Sequence, residues 1–139
     1  MYHEAIMAAA KAATGAGRLD RPQGAGEAYN PLCGDRVRLD LNLDQSRVCE
    51  IRQEVWGCVL CEASASVVAA QASGQTREEL SAVADAVLQM LKYGGATPSG
   101  AWEALAMFEP VADHRSRHEC VLLPFEALLQ ALDRALDEP

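Results

Sequence analysis

Arg36-Val37-Arg38-Leu39-Asp40-Leu41-Asn42-Leu43, then Asp44-Gln45-Ser46, then Arg47-Val48-Cys49-Glu50-Ile51-Arg52-Gln53-Glu54-Val55-Trp56 is the stretch on which the fold turns. In residues 36–43 the apolar Val37, Leu39, Leu41 and Leu43 alternate with Arg36, Arg38, Asp40 and Asn42. A period of two puts one set on a buried face and the other toward water, so this is a half-buried strand. Residues 47–56 alternate again, with Cys49, Ile51 and Val55 sharing a face opposite Glu50, Arg52 and Glu54. Two such runs joined by a short polar link predict a β-hairpin. This reading makes Cys49 a core residue.

The rest of the chain has helical character. Ala5, Ile6, Ala9 and Ala12 recur at helical spacing, predicting a helix over 3–14 that Gly15 and Gly17 end. Residues 18–32 hold Pro22, Gly24, Gly26 and Pro31 and read as irregular loop; their pattern shows no third strand, although one can lie there before Cys33. After Gly57, the run from Cys61 to Ala70 is small and helix-compatible, and Gly74 breaks it. Thr76-Arg77-Glu78-Glu79 is a capping box, and the helix it opens runs to about Tyr93, ending at Gly94-Gly95. Leu80, Val83, Ala84, Val87, Leu88 and Leu91 share one face of it. A loop at 97–100 leads to a short helix around 102–108. Pro124 suits the first turn of a last helix, along which Leu128, Leu129, Leu132 and Leu136 form an apolar stripe. Strands segregated from helices imply an α+β fold, a small antiparallel sheet of about three strands packed against several helices in a single domain over 1–139.

Bulk properties narrow the function. Half of the 139 residues are hydrophobic but only 5% are aromatic, so the core rests on Ala, Leu and Val. A net charge of −8 argues against a nucleic-acid or membrane-surface footprint, which needs clustered Lys and Arg. The opening residues carry His3, Glu4 and Lys11 and lack the apolar run of a signal peptide, and no window is apolar over a bilayer's width. The expectation is a cytoplasmic protein, where thiols stay reduced. The five cysteines, at 33, 49, 58, 61 and 120, are then a metal or thiol set more than a disulfide framework.

Three short motifs carry chemistry. In Asn30-Pro31-Leu32-Cys33-Gly34-Asp35, Gly34 removes the side chain between a thiol and a carboxylate, so both can approach one ion; the same residues also suit an ordinary turn. Gly57-Cys58 ends the second strand and opens a helix, where unpaired amides and the dipole lower a thiol pKa. Arg117-His118-Glu119-Cys120 precedes the last helix, and the neighbouring Arg117 favours a thiolate. The hairpin places Cys33 and Cys58 at the same end of the sheet. Three thiolates and a carboxylate suit tetrahedral Zn²⁺ and also suit an iron–sulfur cluster. Cys61, in Cys58-Val59-Leu60-Cys61, is an alternative ligand, a resting place for sulfur, or a packed replacement for serine; a thioredoxin-like role needs a βαβ context that is missing. Of the three histidines, His118 is the best accessory candidate, by its nearness to Cys120.

Asn-Pro-x-Cys-Gly-Asp, then Gly-Cys followed by Ala63-Ser64-Ala65-Ser66, then Arg-x-x-Cys-x-x-Leu, resembles the U-type iron–sulfur cluster assembly family of IscU, SufU and the NifU N-terminal domain. The resemblance runs nearly end to end, and Tyr2-His3-Glu4-Ala5-Ile6 resembles the family's first helix. It implies that Cys33, Asp35, Cys58 and Cys120 are the ligand set for Zn²⁺, iron or a nascent [2Fe–2S] cluster. It implies sulfur supplied by a cysteine desulfurase of the SufS type and cluster delivery to apo iron–sulfur proteins. The long Cys58–Cys120 interval, with an insertion over 94–111, and Arg117 are similar to SufU, described mainly as a zinc-dependent sulfurtransferase. The Leu-Pro-Pro-Val-Lys chaperone motif of IscU is absent, and Glu119 stands where IscU has a histidine. A mechanism that fits this site has Cys120, kept as a thiolate by metal or by nearby positive charge with Arg117 beside it, accept sulfur from the desulfurase persulfide while Cys33, Asp35 and Cys58 hold the ion. Cys61 stands where SufU-like sequences usually have serine.

Overall fold

In the computed structural model, which describes residues 2–137, the hairpin forms where alternation predicts it. The 1–139 domain expected from sequence extends to Met1, Glu138 and Pro139, which lie outside the described residues. Helix α1 spans Tyr2–Ala12, followed by strands β1 (Gly24–Asn30), β2 (Asp35–Asp44) and β3 (Arg47–Trp56). Then come α2 (Val59–Gln71), α3 (Arg77–Tyr93), a 3-10 segment (Gly100–Asp113), a short 3-10 turn (Arg115–Arg117) and α4 (His118–Leu136). The sheet is antiparallel in the order β1-β2-β3, and the helices pack against it in an α+β arrangement.

Val37, Leu39 and Leu41 of β2 are fully buried, as their alternation requires. The partner strand departs from its expected phase. Asn42 pairs with Glu50 but Leu43 pairs with Val48, so Cys49 is an extra residue, a β-bulge. A bulge shifts every side chain beyond it to the other face. Val48 is therefore buried and Cys49 exposed, which corrects the core assignment of Cys49.

Residues read as loop contain β1. Its inward positions are Gly24, Gly26, Ala28 and Asn30, too small and polar to read as a strand. The sizes are set by α4, which lies directly on the strand. A β-carbon on Gly24 would sit 1.9 Å from the Ala131 carbonyl oxygen, and one on Gly26 would sit 2.2 Å from that of Ala127.

The α3 boundaries match their signals. Thr76 accepts from the Glu79 amide, Glu79 accepts from the Thr76 amide, and Gly94 closes the helix at φ 69°. The 102–108 helix is instead the longer 3-10 segment, which contains Pro110. Helix α4 begins at His118, six residues before Pro124, so Pro124 is interior and Cys120 lies inside the first turn instead of before the helix. Leu128 and Leu132 of its stripe are fully buried, whereas Leu136 is exposed.

The chain also covers its own sheet margins. Along β3, Gly15 O accepts from Gln53 N–H and Gly17 N–H donates to Gln53 O, while Val48 N–H donates to Gln75 O and Val48 O accepts from Gly74 N–H. Along β1, Arg134 donates to Ala25 O and Gln130 accepts from Glu27 N–H. Among the described residues, no helix is long and apolar enough to cross a membrane.

Candidate metal centre

The turn between β1 and β2 sets the first group. Asn30 accepts from Leu32 N–H through its side chain and from Gly34 N–H through its carbonyl, at 3.1 and 2.7 Å. Gly34 takes φ +78°, a left-handed conformation that glycine adopts without a Cβ penalty. The chain reverses there and delivers Asp35 as the first residue of β2. Because Arg36 pairs with Trp56, Asp35 stands beside Gly57 and Cys58.

Cys58 is the N-cap of α2, in an extended conformation. Its amide donates to Asp35 Oδ1 at 3.2 Å, and its Sγ lies 3.7 Å from Asp35 Oδ2. A β-carbon on Gly57 would fall 2.6 Å from Asp35 Oδ1, so the carboxylate occupies the space that glycine leaves. Linear motifs do not show this role of Gly57; its sequence signal is a glycine that joins a strand end directly to a helix cap.

The third group arrives on α4. Asp35, Cys58 and Cys120 each present a donor atom within 4.8 Å of the other two. Cys33 is exposed and lines the same cleft of about 420 Å³, with Ser116, Arg117, Val59 and Leu60, but lies outside that closest trio. Tetrahedral zinc, with Zn–S near 2.3 Å and Zn–O near 2.0–2.2 Å, needs donors about 3.5–3.8 Å apart. The Cys58–Asp35 separation already fits, and a soft thiolate set with one hard carboxylate fits zinc or iron.

Electrostatics at the centre differ from the expectation that Arg117 favours a Cys120 thiolate. Burial first, then hydrogen bonds with Asp35 and Cys58, push the Cys120 thiol up. Arg117 is exposed on the cleft wall. Cys61 is fully buried, and burial followed by the charges of Asp35 and Cys58 pushes its thiol up as well. It is not one of the converging trio. His118 is buried with its Nε2 3.0 Å from Ala112 O, and it does not line the cleft; its place is in holding the 3-10 segment to α4.

Ser64, in sequence only one small residue of the Ala63–Ser66 run, ties the centre together. Its hydroxyl donates to Val121 O at 2.6 Å, linking α2 to the turn of α4 that carries Cys120. Ser66, two residues on, accepts from Thr14 N–H and ties α2 to the end of α1. The Ala63-Ser64-Ala65-Ser66 run is thus a buried seam in which small side chains let helices close and hydroxyls satisfy backbone groups.

Residues 1–120 match the family model of the NifU-like N terminal domain. The chain belongs to the NifU-like N-terminal domain family. It is 28% identical over 134 residues to the iron-sulfur cluster assembly scaffold protein IscU of Thermotoga maritima, covering 96% of this chain and 94% of the relative. It is 32% identical to the zinc-dependent sulfurtransferase SufU of Bacillus subtilis, over 71% of this chain and 67% of the relative. The fold superposes on a crystal structure of a nitrogen-fixing NifU-like protein (N-terminal) from Brucella abortus with a TM-score of 0.95 at 33% identity, covering 99% of this chain and 96% of that one.

In this NifU-like chain the Gly57–Asp35 contact has a testable consequence. Gly57→Ala removes no donor but must displace the carboxylate. With zinc as the probe ion, a centre that uses Asp35 should lose about 10–100-fold in affinity, the usual effect of disturbing a group that orients a ligand. Titration against a competing chelator measures it; affinity equal to the parent's would show that Asp35 does not need this space.

Proposed function

We propose that this chain is an iron–sulfur cluster assembly scaffold, which accepts sulfur from a cysteine desulfurase of the SufS type and holds iron or a nascent [2Fe–2S] cluster for transfer to apo-proteins. The observation that carries this reading is the convergence of Asp35, Cys58 and Cys120 beside the exposed Cys33. Cys33, Asp35, Cys58 and Cys120 would hold the cargo. A bound cation supplies positive charge that favours thiolates in a site whose own burial disfavours them. Asp35 is the one oxygen ligand of the set and the one a soft metal gives up most readily.

Cys120 is the proposed sulfur acceptor. Its thiolate attacks the outer sulfur of the donor persulfide; the bond between that sulfur and the donor cysteine breaks, and the donor leaves as a thiolate. Arg117 stands exposed at the mouth of the cleft, placed to meet the donor's surface. Leu32 beside Cys33 and Trp56 beside Gly57 are exposed apolar groups at the same end of the sheet, which suits a docking protein. The chemistry requires reduced thiols, which sets the proposed role in the cytoplasm.

A second reading, a zinc-dependent sulfurtransferase, is favoured by the insertion over 94–111 that resembles SufU, much of which forms the long Gly100–Asp113 segment between α3 and α4. Anaerobic incubation with ferrous iron, cysteine and a desulfurase separates the two. A scaffold develops visible charge-transfer absorption that persists after desalting. A sulfurtransferase keeps zinc, stimulates the desulfurase and forms no stable cluster. Failure to bind metal, cluster or sulfur would sink both.

A further inference from the structure

Cys58 and Cys61 occupy the N-cap and the third position of α2. Helical rise and radius set α-carbons three residues apart at about 5 Å. That lies within the span of about 4.4–6.8 Å that a disulfide tolerates, so the two can join with little backbone movement. Their surroundings differ. Cys58 is exposed at the cleft, whereas Cys61 is fully buried and does not line it. An exposed thiol at a helix cap can be charged from outside, and a buried one a turn later is shielded from every reagent except its neighbour. Cys61 is outside the donor trio, so its thiol is not committed to holding an ion there.

We propose that Cys58 and Cys61 form a dithiol pair that reduces sulfane sulfur held at the centre and releases it as sulfide. The inference rests on the reading that the centre takes up sulfur. The donor sulfurs of Cys58 and Cys120 are within 4.8 Å, so the Cys58 thiolate can attack the outer sulfur of a persulfide on Cys120; the S–S bond to Cys120 breaks and Cys120 leaves as a thiolate. The Cys61 thiol then attacks the inner sulfur of the Cys58 persulfide. The bond to the terminal sulfur breaks, the Cys58–Cys61 bond forms, and the Cys61 proton leaves with the terminal sulfur as hydrogen sulfide. Two cysteine sulfurs are oxidised to a disulfide and one sulfane sulfur is reduced to sulfide, so electrons balance within the chain. A dithiol reductant returns the pair to thiols before another round. A cluster needs sulfide, not sulfane sulfur, and this pair would supply both electrons at the place where sulfide is used.

The test uses the full chain, reduced, freed of small thiols and treated anaerobically with inorganic polysulfide. The parent should release sulfide and yield a Cys58–Cys61 disulfide peptide by mass spectrometry. Cys61→Ser should retain the added sulfur as a persulfide, with sulfide release lowered at least about tenfold, because an adjacent thiol acts at very high effective molarity. Cys61→Ala, which buries no hydroxyl, should behave the same and guards against a folding defect in the serine variant. Equal sulfide release from the variants, or a parent disulfide joining Cys58 to Cys120 instead, would overturn the inference while leaving sulfur uptake intact. If neither parent nor variants gain sulfur, the underlying reading falls and the inference with it.

Discussion

Gly26→Ala is expected to cost about 3 kcal/mol of stability, at the upper end of what overpacking a well-filled core costs. The added carbon would lie 2.2 Å from the Ala127 carbonyl oxygen and 2.8 Å from the Ala131 amide nitrogen. Both are helix backbone, which cannot rotate away like a side chain. Helix α4 must lift from β1 as a body. In a chain of this size the loss corresponds to a melting temperature lower by about 10 °C. Because α4 carries Cys120, lifting it also separates that thiol from Asp35 and Cys58, so metal affinity should fall together with stability. Thermal unfolding and a zinc titration on one preparation check both. A variant that melts with the parent would show that the strand–helix approach is not what seats α4.

Cys58→Ala should lower zinc affinity by at least about 100-fold, more than the loss from disturbing an outer group, because a thiol that meets both Asp35 and Cys120 is removed. The backbone amide of residue 58 still donates to Asp35, so the carboxylate keeps its position and the loss reports on the thiol. Cys49→Ala is the matched control. Cys49 sits on the bulge near the hairpin turn, at the far end of β3 from Gly57, and its removal should leave affinity unchanged. Competition against a chromophoric chelator measures both variants. Equal affinities for the two would place the ion elsewhere.

Local signals were legible wherever local physics decides. The capping box at Thr76, the left-handed Gly94 and the alternation over 36–43 each report a backbone state through residues a few positions apart. What stayed hidden depends on partners distant in sequence. Strand β1 reads as loop because its inward residues are shrunk to fit α4, about a hundred residues later in the chain. The phase of β3 hides behind a bulge that only the pairing with β2 reveals. Pro124 masks the true start of α4, since a proline well inside a helix looks like its first turn. The candidate centre divides the same way. Motifs named Cys33, Asp35, Cys58 and Cys120, and pairing explains why Asp35 meets Cys58. The exposure of Cys33 and the upward push on the Cys120 thiol follow from burial and neighbouring charge, which no linear spacing encodes.

The backbone bonds along the two outer strands bear on solubility at high concentration. A bare strand rim is a template on which another chain can add a strand and begin an aggregate. Here β3 is held at Val48 and Gln53 by loops of the same molecule, and two rim groups of β1 are taken by Arg134 and Gln130. With Cys33 and Cys58 exposed at one end of the sheet, copies of this chain are thereby kept from meeting rim to rim through the sheet.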